Sequence, residues 1–526
     1  MTDERTGTAP RDLFRWLYLG GLAITGIGMP WGEFLMSIGQ IIALGGWLIE
    51  GIVRKSLGAR VKHAFSQRAV LVFLSFYALH VLGLLWTSDM AWGMDVCRIL
   101  LPLLILPPIV ASSPRLRHDE LRALLLLFAA STIASTFACL ALNTTPDDHR
   151  ALSHFISHIR LSLMVCMAAF VLVRYWPKRW LLRAVHLLAI GWCVYFLQLL
   201  GSIAGLVVLL VVAGWWLWRR SRYLGTTMRW TLRLGMVALP VLLGAYVWGV
   251  VTDAHRIDPL ERAPLVMTSP GGERYAHDTT NLQLENGRYV WRNIAWAEVH
   301  RSWQRISNIP LDSTDARGHV FYGTLFRYLT SKGLNKDSVG MAALTQDDLS
   351  RIMRGEWSVQ QRDPLELRIR ELVFEEQRYR NTGDASGYSS VMRWEFWKAG
   401  WHIIEQHPVV GVGTGDTKPA FAATYDELRS PLDARWRLRA HNQFLTWTIS
   451  FGFVGLVLCV LAWLVPVRLI GAWREPLFVA WAFAFVLSCL TEDTLETQAG
   501  ATFAAWFYVL LVFGVDHDGK VAAKVV

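Results

Sequence analysis

The chain has 526 residues, 53% of them hydrophobic and 12% aromatic, and only 18% are charged, below the roughly 25% usual in soluble domains. Its formal net charge is +10, but the basic residues fall in short loops between apolar runs. That spread argues against a nucleic-acid-binding patch and for charge asymmetry across a membrane. The six cysteines, Cys97, Cys139, Cys166, Cys193, Cys459 and Cys489, all lie in or beside apolar runs. They show neither disulfide nor metal spacing and read as small apolar residues.

Twelve apolar runs follow one another near 14–31, 33–53, 69–86, 96–113, 121–142, 156–176, 182–199, 201–218, 229–251, 442–466, 475–491 and 498–515. Each is close to the length that crosses a bilayer as a helix. Arg11 and Arg15 precede the first run without a small-residue cleavage site after it, so this run reads as a retained span. The even-numbered spans exit into basic loops: Arg54, Lys55, Arg60, Lys62 and Arg68; Arg115, Arg117 and Arg122; Arg174, Lys178, Arg179 and Arg183; Arg219, Arg220, Arg222 and Arg229; Arg468 and Arg474. The odd-numbered exits "WTSDMAWGMD", "NTTPDDH" and "TEDTLE" are acidic or neutral. The bias predicts both termini in the cytoplasm. The expected fold is an all-α polytopic membrane protein of about 12 transmembrane helices with one large, mostly helical periplasmic loop between helices 9 and 10. The predicted domains are residues 1–251 with nine spans, 252–440 as the loop, and 441–526 with three spans and a cytoplasmic tail.

Inside the loop, "YVWRNIAWAEVHRSWQRI" puts Trp291, Ala295, Val299, Trp303 and Ile306 on one helical face. "DPLELRIRELVFEEQRYR" opens with Asp363 as a cap and Pro364 in the first turn. "SSVMRWEFWKAGWHIIEQHP" reads as a helix ending at Pro408. "GVGTGD" is a tight turn, not a dinucleotide fingerprint, with Asp416 as a cap for the helix after it.

Four constellations are chemically suggestive. His441 stands where the loop returns to the membrane, placed for proton transfer; an interfacial histidine without a role is the rival reading. Asn442 adjoins it, and Gly452 and Gly455 permit close helix contact. Arg393 lies on the helix before Pro408, where a solvated arginine is the ordinary reading. Arg435, Arg437 and Arg439 precede His441 as a cluster suited to anionic headgroups or phosphate. Arg160 sits inside span six, where an ionisable residue marks function unless it snorkels, and Arg98 occupies a similar setting in span four. Glu492, Asp493 and Glu496 occupy the last outer turn, able to orient a histidine or bind a sugar hydroxyl; taken alone they read as a hydrated loop. His80 and His186 read as internal hydrogen-bonders. No metal motif is present. Arginines and a histidine at the outer surface suit a lipid-linked anion, with the arginines holding a departing diphosphate and a neutral histidine accepting the proton of an attacking hydroxyl. Glycosyl transfer from a polyprenyl diphosphate sugar fits, as do a lipid phosphatase and a transporter.

The segment of His441, Asn442, nine residues, Gly452, two residues and Gly455 resembles the hallmark of the O-antigen ligase family, whose fold is shared by O-antigen polymerases. "RWEFWKAGWHIIEQHPVVGVGTGD", with Arg393, and "HIRLSL", with Arg160, are similar to its arginine-bearing segments. The resemblance implies a C-type (GT-C), inverting, metal-independent glycosyltransferase of the bacterial inner membrane, needing no cofactor. It moves a glycan from undecaprenyl diphosphate onto lipid A–core oligosaccharide. In that scheme His441 is the general base and Arg160 and Arg393 bind the donor diphosphate; by position, Arg98 joins the diphosphate-binding set, and Asn442, Arg439, Glu492 and Asp493 support it. Membrane lipids are the other expected partners, and nucleic acid is not one. Polysaccharide polymerisation or protein O-glycosylation by the same fold is the near alternative, and transport of a lipid-linked glycan the distant one. Where many relatives carry a Ser-Arg pair at span eight, this chain has Ser202 followed by Ile203.

Overall fold

The computed structural model describes residues 9–143, 152–315, 319–360, 364–387 and 389–517. Asp363 and most of "NTTPDDH" lie outside them. The molecule is mostly helical and divides into two compact units.

The first unit comprises residues up to Arg220, Phe396–Arg429 and Arg437 onward. Its leading helices are α1 (Ala9–Gly28), α2 (Glu33–Val53), α3 (Leu57–Ser66), α4 (Arg68–Leu82), α5 (Met90–Ile99), α6 (Leu101–Ser112), α7 (His118–Leu142), α8 (His158–Arg174), α9 (Trp180–Leu199) and α10 (Ile203–Arg220). The second unit covers Ser221–Glu395 and Ser430–Trp436. It contains α11 (Thr226–Ala254), α12 (Trp296–Ile306), α13 (Phe321–Ser331), α14 (Ser338–Ala342), α15 (Gln346–Met353) and α16 (Pro364–Thr382). After α17 (Ser389–Gln406), the first unit resumes with α18 (Thr417–Glu427), α19 (Gln443–Ile470), α20 (Pro476–Thr491) and α21 (Gln498–Tyr508).

Among the described residues eight stretches are helical, long and apolar enough to cross a membrane: Glu33–Val53, Arg68–Trp86, Met90–Ser112, His118–Leu142, Trp180–Leu199, Ala204–Tyr223, Thr226–Arg262 and Gln443–Ile470. Three shorter apolar helices accompany them, Leu13–Gly28, Pro476–Thr491 and Gln498–Phe513. The span expected at 96–113 starts earlier, at Met90, because Asp89 accepts a bond from the Trp92 amide at 3.0 Å and caps α5. It also breaks at Leu100, where Pro102 opens α6. Only 6% of the apolar window of α11 is buried, and Leu234, Leu239, Val241 and Trp248 stand exposed, the composition of a helix whose solvent is lipid.

Between helices surrounded by lipid tails, the hydrophobic effect offers little, so close packing must hold the unit. α1 and α2 approach until a Cβ on Gly39 would lie 2.3 Å from the Thr25 nitrogen. α4 packs on α19, α7 on α8, and α8 on α20. Trp463, Trp481, Phe485, Phe73 and Tyr508 interlock their rings at the centre. All six cysteines are free and buried, as small apolar residues would be. His80 and His186 bond backbone carbonyls of Phe76 and Leu172, at 2.8 and 3.2 Å.

The second unit packs around Trp303, Phe321, Phe326, Tyr328 and Leu329. The helix expected from Tyr289 begins only at Trp296. Asn293 takes a positive φ of 56°, and the Ala295 amide donates to Lys336 at 2.7 Å, so the chain ahead is tied to a loop. Val299 and Trp303 are buried as expected, whereas Ile306 is exposed. A small antiparallel hairpin, β1 (Leu284–Glu285) and β2 (Arg288–Tyr289), turns on Asn286 and Gly287, both at positive φ. Burial alone would raise the Glu298 carboxyl, but bonds from Ser269 and from the Ser338 amide and hydroxyl outweigh it and hold the group at about 2.

Candidate active site

The return of the chain to the membrane is built by α19. Asn442 caps this helix, its side-chain oxygen accepting from the Leu445 amide at 3.1 Å. The cap leaves His441 just outside the helix with a positive φ of 46°, a conformation that costs a non-glycine residue energy and persists only when its surroundings over-determine it. Here the surroundings are the turn between α20 and α21. The Asp493 carboxylate accepts from the His441 amide at 3.2 Å, from the Asn442 amide at 3.2 Å, and from the Thr446 hydroxyl at 2.7 Å. Asn442 also donates to the Leu490 carbonyl at 3.1 Å, and Gln443 accepts from the Leu495 amide at 2.7 Å. The His441 side chain is itself engaged: Nδ1 lies 3.2 Å from Glu492 Oε2, and the ring packs on Phe396 at 5.7 Å between centroids.

Glu492, Asp493 and Glu496 therefore do not form a hydrated loop. Glu492 and Asp493 are each 7% exposed, and Arg439 pairs with Glu496. Arg160, also buried, reaches the same turn from α8. Its Nη2 donates to the Asp493 carbonyl and its Nε to Thr497 Oγ1, both at 3.2 Å. Its Nη1 is buried without a hydrogen-bond partner among the described residues. Snorkelling is thus not what Arg160 does. It is a cation held among carboxylates with one donor to spare.

Arg98 projects from α5, 74% exposed, and pairs with Asp95 at 3.1 Å, while Val96, Cys97 and Leu100 form the buried face. Arg393, half-buried, lies on the first part of α17, within the second unit. The arginines before His441 do not act as one cluster: Arg437 pairs with Asp426 and Arg439 with Glu496, while Arg435 is exposed in the second unit.

The glycine-rich turn supports α19. Gly452 breaks the helix with φ 65° and ψ −172°. The Ile449 and Ser450 carbonyls accept from the Val412 and Gly413 amides, each at 2.9 Å, and the Phe453 amide donates to the Pro408 carbonyl at 2.8 Å. Asp416 does stand at the cap position of α18, but its carboxylate faces away from that helix. It accepts from the Ser88 and Asp89 amides and the Ser88 hydroxyl, at 2.7 to 3.0 Å.

Thr446, Gln443 and Thr497 carry no sequence signal that sets them apart. Only their spacing from the histidine and the acidic turn, read in three dimensions, brings them in. Chemically, the assembly is an imidazole fixed in place by one carboxylate on its ring and another on its backbone, with a buried guanidinium behind the second. A family model described as O-antigen ligase matches residues 184–460, more than half of the chain. No curated protein matches it.

Proposed function

The chain belongs to the O-antigen ligase family, and from that premise we propose that it transfers a glycan from undecaprenyl diphosphate to a sugar hydroxyl of lipid A–core, with inversion and without a metal. The family is a glycosyltransferase-like one of O-antigen ligase and polymerase type, and the chain is a multi-pass membrane protein. We place the reaction at the periplasmic face of the inner membrane, in a twelve-span topology whose large loop lies between the ninth and tenth spans.

The observation that carries this reading is the contact of His441 Nδ1 with Glu492. A carboxylate on Nδ1 selects the tautomer with the proton on that nitrogen and leaves the Nε2 lone pair open. Nε2 then takes the proton of the attacking hydroxyl, and Glu492 stabilises the imidazolium that forms. Asp493, bonded to the His441 amide, holds the ring where this transfer occurs. The diphosphate leaves with its charge met by guanidinium donors. Arg160 offers its unpartnered Nη1, and Arg393 enters through the family resemblance.

The test is glycan transfer in membranes supplied with candidate acceptors, comparing the native chain with His441→Ala. General-base catalysis contributes about 10²- to 10⁴-fold, and a loss of that size is expected with the protein still inserted and monodisperse in detergent. Full activity of His441→Ala would sink the general-base role. Movement of intact carrier lipid without transfer would sink the enzyme reading. Chain extension on the carrier with no lipid A–core product would replace ligation by polymerisation.

A further inference from the structure

Two cations beside this site share one aromatic ring. Lys418 Nζ stands 3.2 Å from the centroid of Trp92, and Arg439 Cζ stands 5.2 Å from it. Arg439 is two residues ahead of His441 and mostly buried, with 22% of its side chain exposed, whereas Lys418 is exposed. Placing two positive charges on one ring costs energy unless an anion compensates them.

The surrounding carboxylates leave that compensation incomplete. Glu496 pairs with Arg439. Asp416, the acid nearest Lys418 in the chain, is turned to the backbone of Ser88 and Asp89. Asp89 is occupied in capping α5 through the Trp92 amide. The Asp493 carboxylate also acts on Arg439, but it is bonded to the residues that open α19; among the described residues no carboxylate pairs with Lys418, so its ammonium is the charge left uncompensated. Lys418 also lies in the first turn of α18, where the helix dipole adds positive potential. Trp92 Nε1, a further donor, is buried without a hydrogen-bond partner among the described residues. A rigid indole, a compact ammonium and a planar guanidinium make a donor set matched to phosphate oxygens.

We propose that Lys418 and Arg439, mounted on Trp92, form a phosphate-binding subsite beside His441 that holds a phosphate group of a glycolipid substrate. This rests on the transfer reading above. The phosphate has two possible sources, the diphosphate of the donor or a phosphate on the acceptor, and both present the same oxygens.

The full chain in nanodiscs of zwitterionic lipid is titrated with undecaprenyl diphosphate and, separately, with bisphosphorylated lipid A. Lys418→Gln is expected to weaken at least one affinity about tenfold, the scale of one lost charge-assisted contact. Loss for undecaprenyl diphosphate alone assigns the subsite to the donor, loss for lipid A alone to the acceptor, and loss for both to a phosphate site open to either. Lys418→Arg keeps the affinity. Trp92→Leu reproduces the loss although both charges remain, because the platform is gone. The proposal is overturned if Lys418→Gln leaves both affinities within about twofold of native. It is equally overturned if Trp92→Leu has no effect where Lys418→Gln does, since that is diffuse surface charge. Affinities are read without turnover, so a native chain that binds but never transfers overturns the transfer reading and leaves the subsite standing.

Discussion

At the scale of single residues, the site is organised by a carboxylate more than by its histidine. Asp493 accepts three bonds from residues 441 to 446, and its hold on the His441 amide keeps that residue at positive φ. Thr446 supplies the shortest of the three. Thr446→Val keeps the shape and removes the hydroxyl. A hydrogen bond to a charged group is worth about 1.5–3 kcal/mol, so transfer should fall roughly tenfold or more, at 1.36 kcal/mol per tenfold. Thr446→Ser, which restores the donor, should recover most of it. Equal activity of the valine and serine variants in a membrane transfer assay would show that the hydroxyl does not position the turn. His441, Asn442, Gly452 and Gly455 were legible in the sequence because they stand close together in a spaced pattern. The acidic turn was legible only as a possibility. It lies about fifty residues further on, and three acids between two spans look the same whether hydrated or buried. Thr446 was not legible at all, since a threonine in an apolar helix more often bonds its own backbone.

At the scale of elements, α19 is two helices joined at Gly452, and the joint is filled by another piece of backbone. Carbonyls of Ile449 and Ser450 that would bond the next turn are taken by Val412 and Gly413. A Cβ at Gly452 would lie 2.1 Å from the Val409 carbonyl oxygen, at a φ of 65°. Gly452→Ala therefore faces both a backbone clash and a left-handed conformation, which costs about 1–2 kcal/mol by itself. The turn carrying Gly411 and Gly413 must shift, and with it the first turns of α19 that bond Asp493. The expected result is a lower melting temperature in detergent and transfer reduced by more than tenfold. A variant that melts and transfers like the native chain would show that the joint is not a fixed support. The glycines were legible as a turn and as small residues on a helix; that the two motifs meet was not, because nothing in either says which carbonyls are missing partners. The Asn286–Gly287 hairpin shows the opposite case. A local turn signal was present, but strands of two residues are too short to give an alternating pattern. The shortened α12 shows why periodicity overreached: Trp291 and Ala295 continue the apolar face, yet the positive φ at Asn293 ends any helix there.

At the scale of the whole molecule, the apolar runs were legible because lipid imposes a length and a composition that few soluble helices share. The division into two units was less so. Residues 1–251 read as one domain because an apolar run ends there, and contacts group α11 with α16 in the unit Ser221–Glu395. A helix nearly bare of protein contacts joins whichever partner touches its end, and hydropathy carries no record of that. The sidedness of the spans is the part of the reading that rests on charge alone. Lys62 lies in a strongly basic connection, with Arg54, Lys55, Arg60 and Arg68, and the positive-inside bias holds such short loops in the cytoplasm. Thr279 lies in the long segment after α11, which the same alternation assigns to the periplasm. Both positions are exposed, and the six native cysteines are free but buried, so a thiol reagent that cannot cross the membrane should meet little background. In spheroplasts, Thr279→Cys should label at once, and Lys62→Cys only after the membrane is opened. Labelling of Lys62→Cys in sealed spheroplasts, with Thr279→Cys protected, would invert the topology. It would also remove His441 from the side on which a glycan could be joined to an outer-leaflet acceptor.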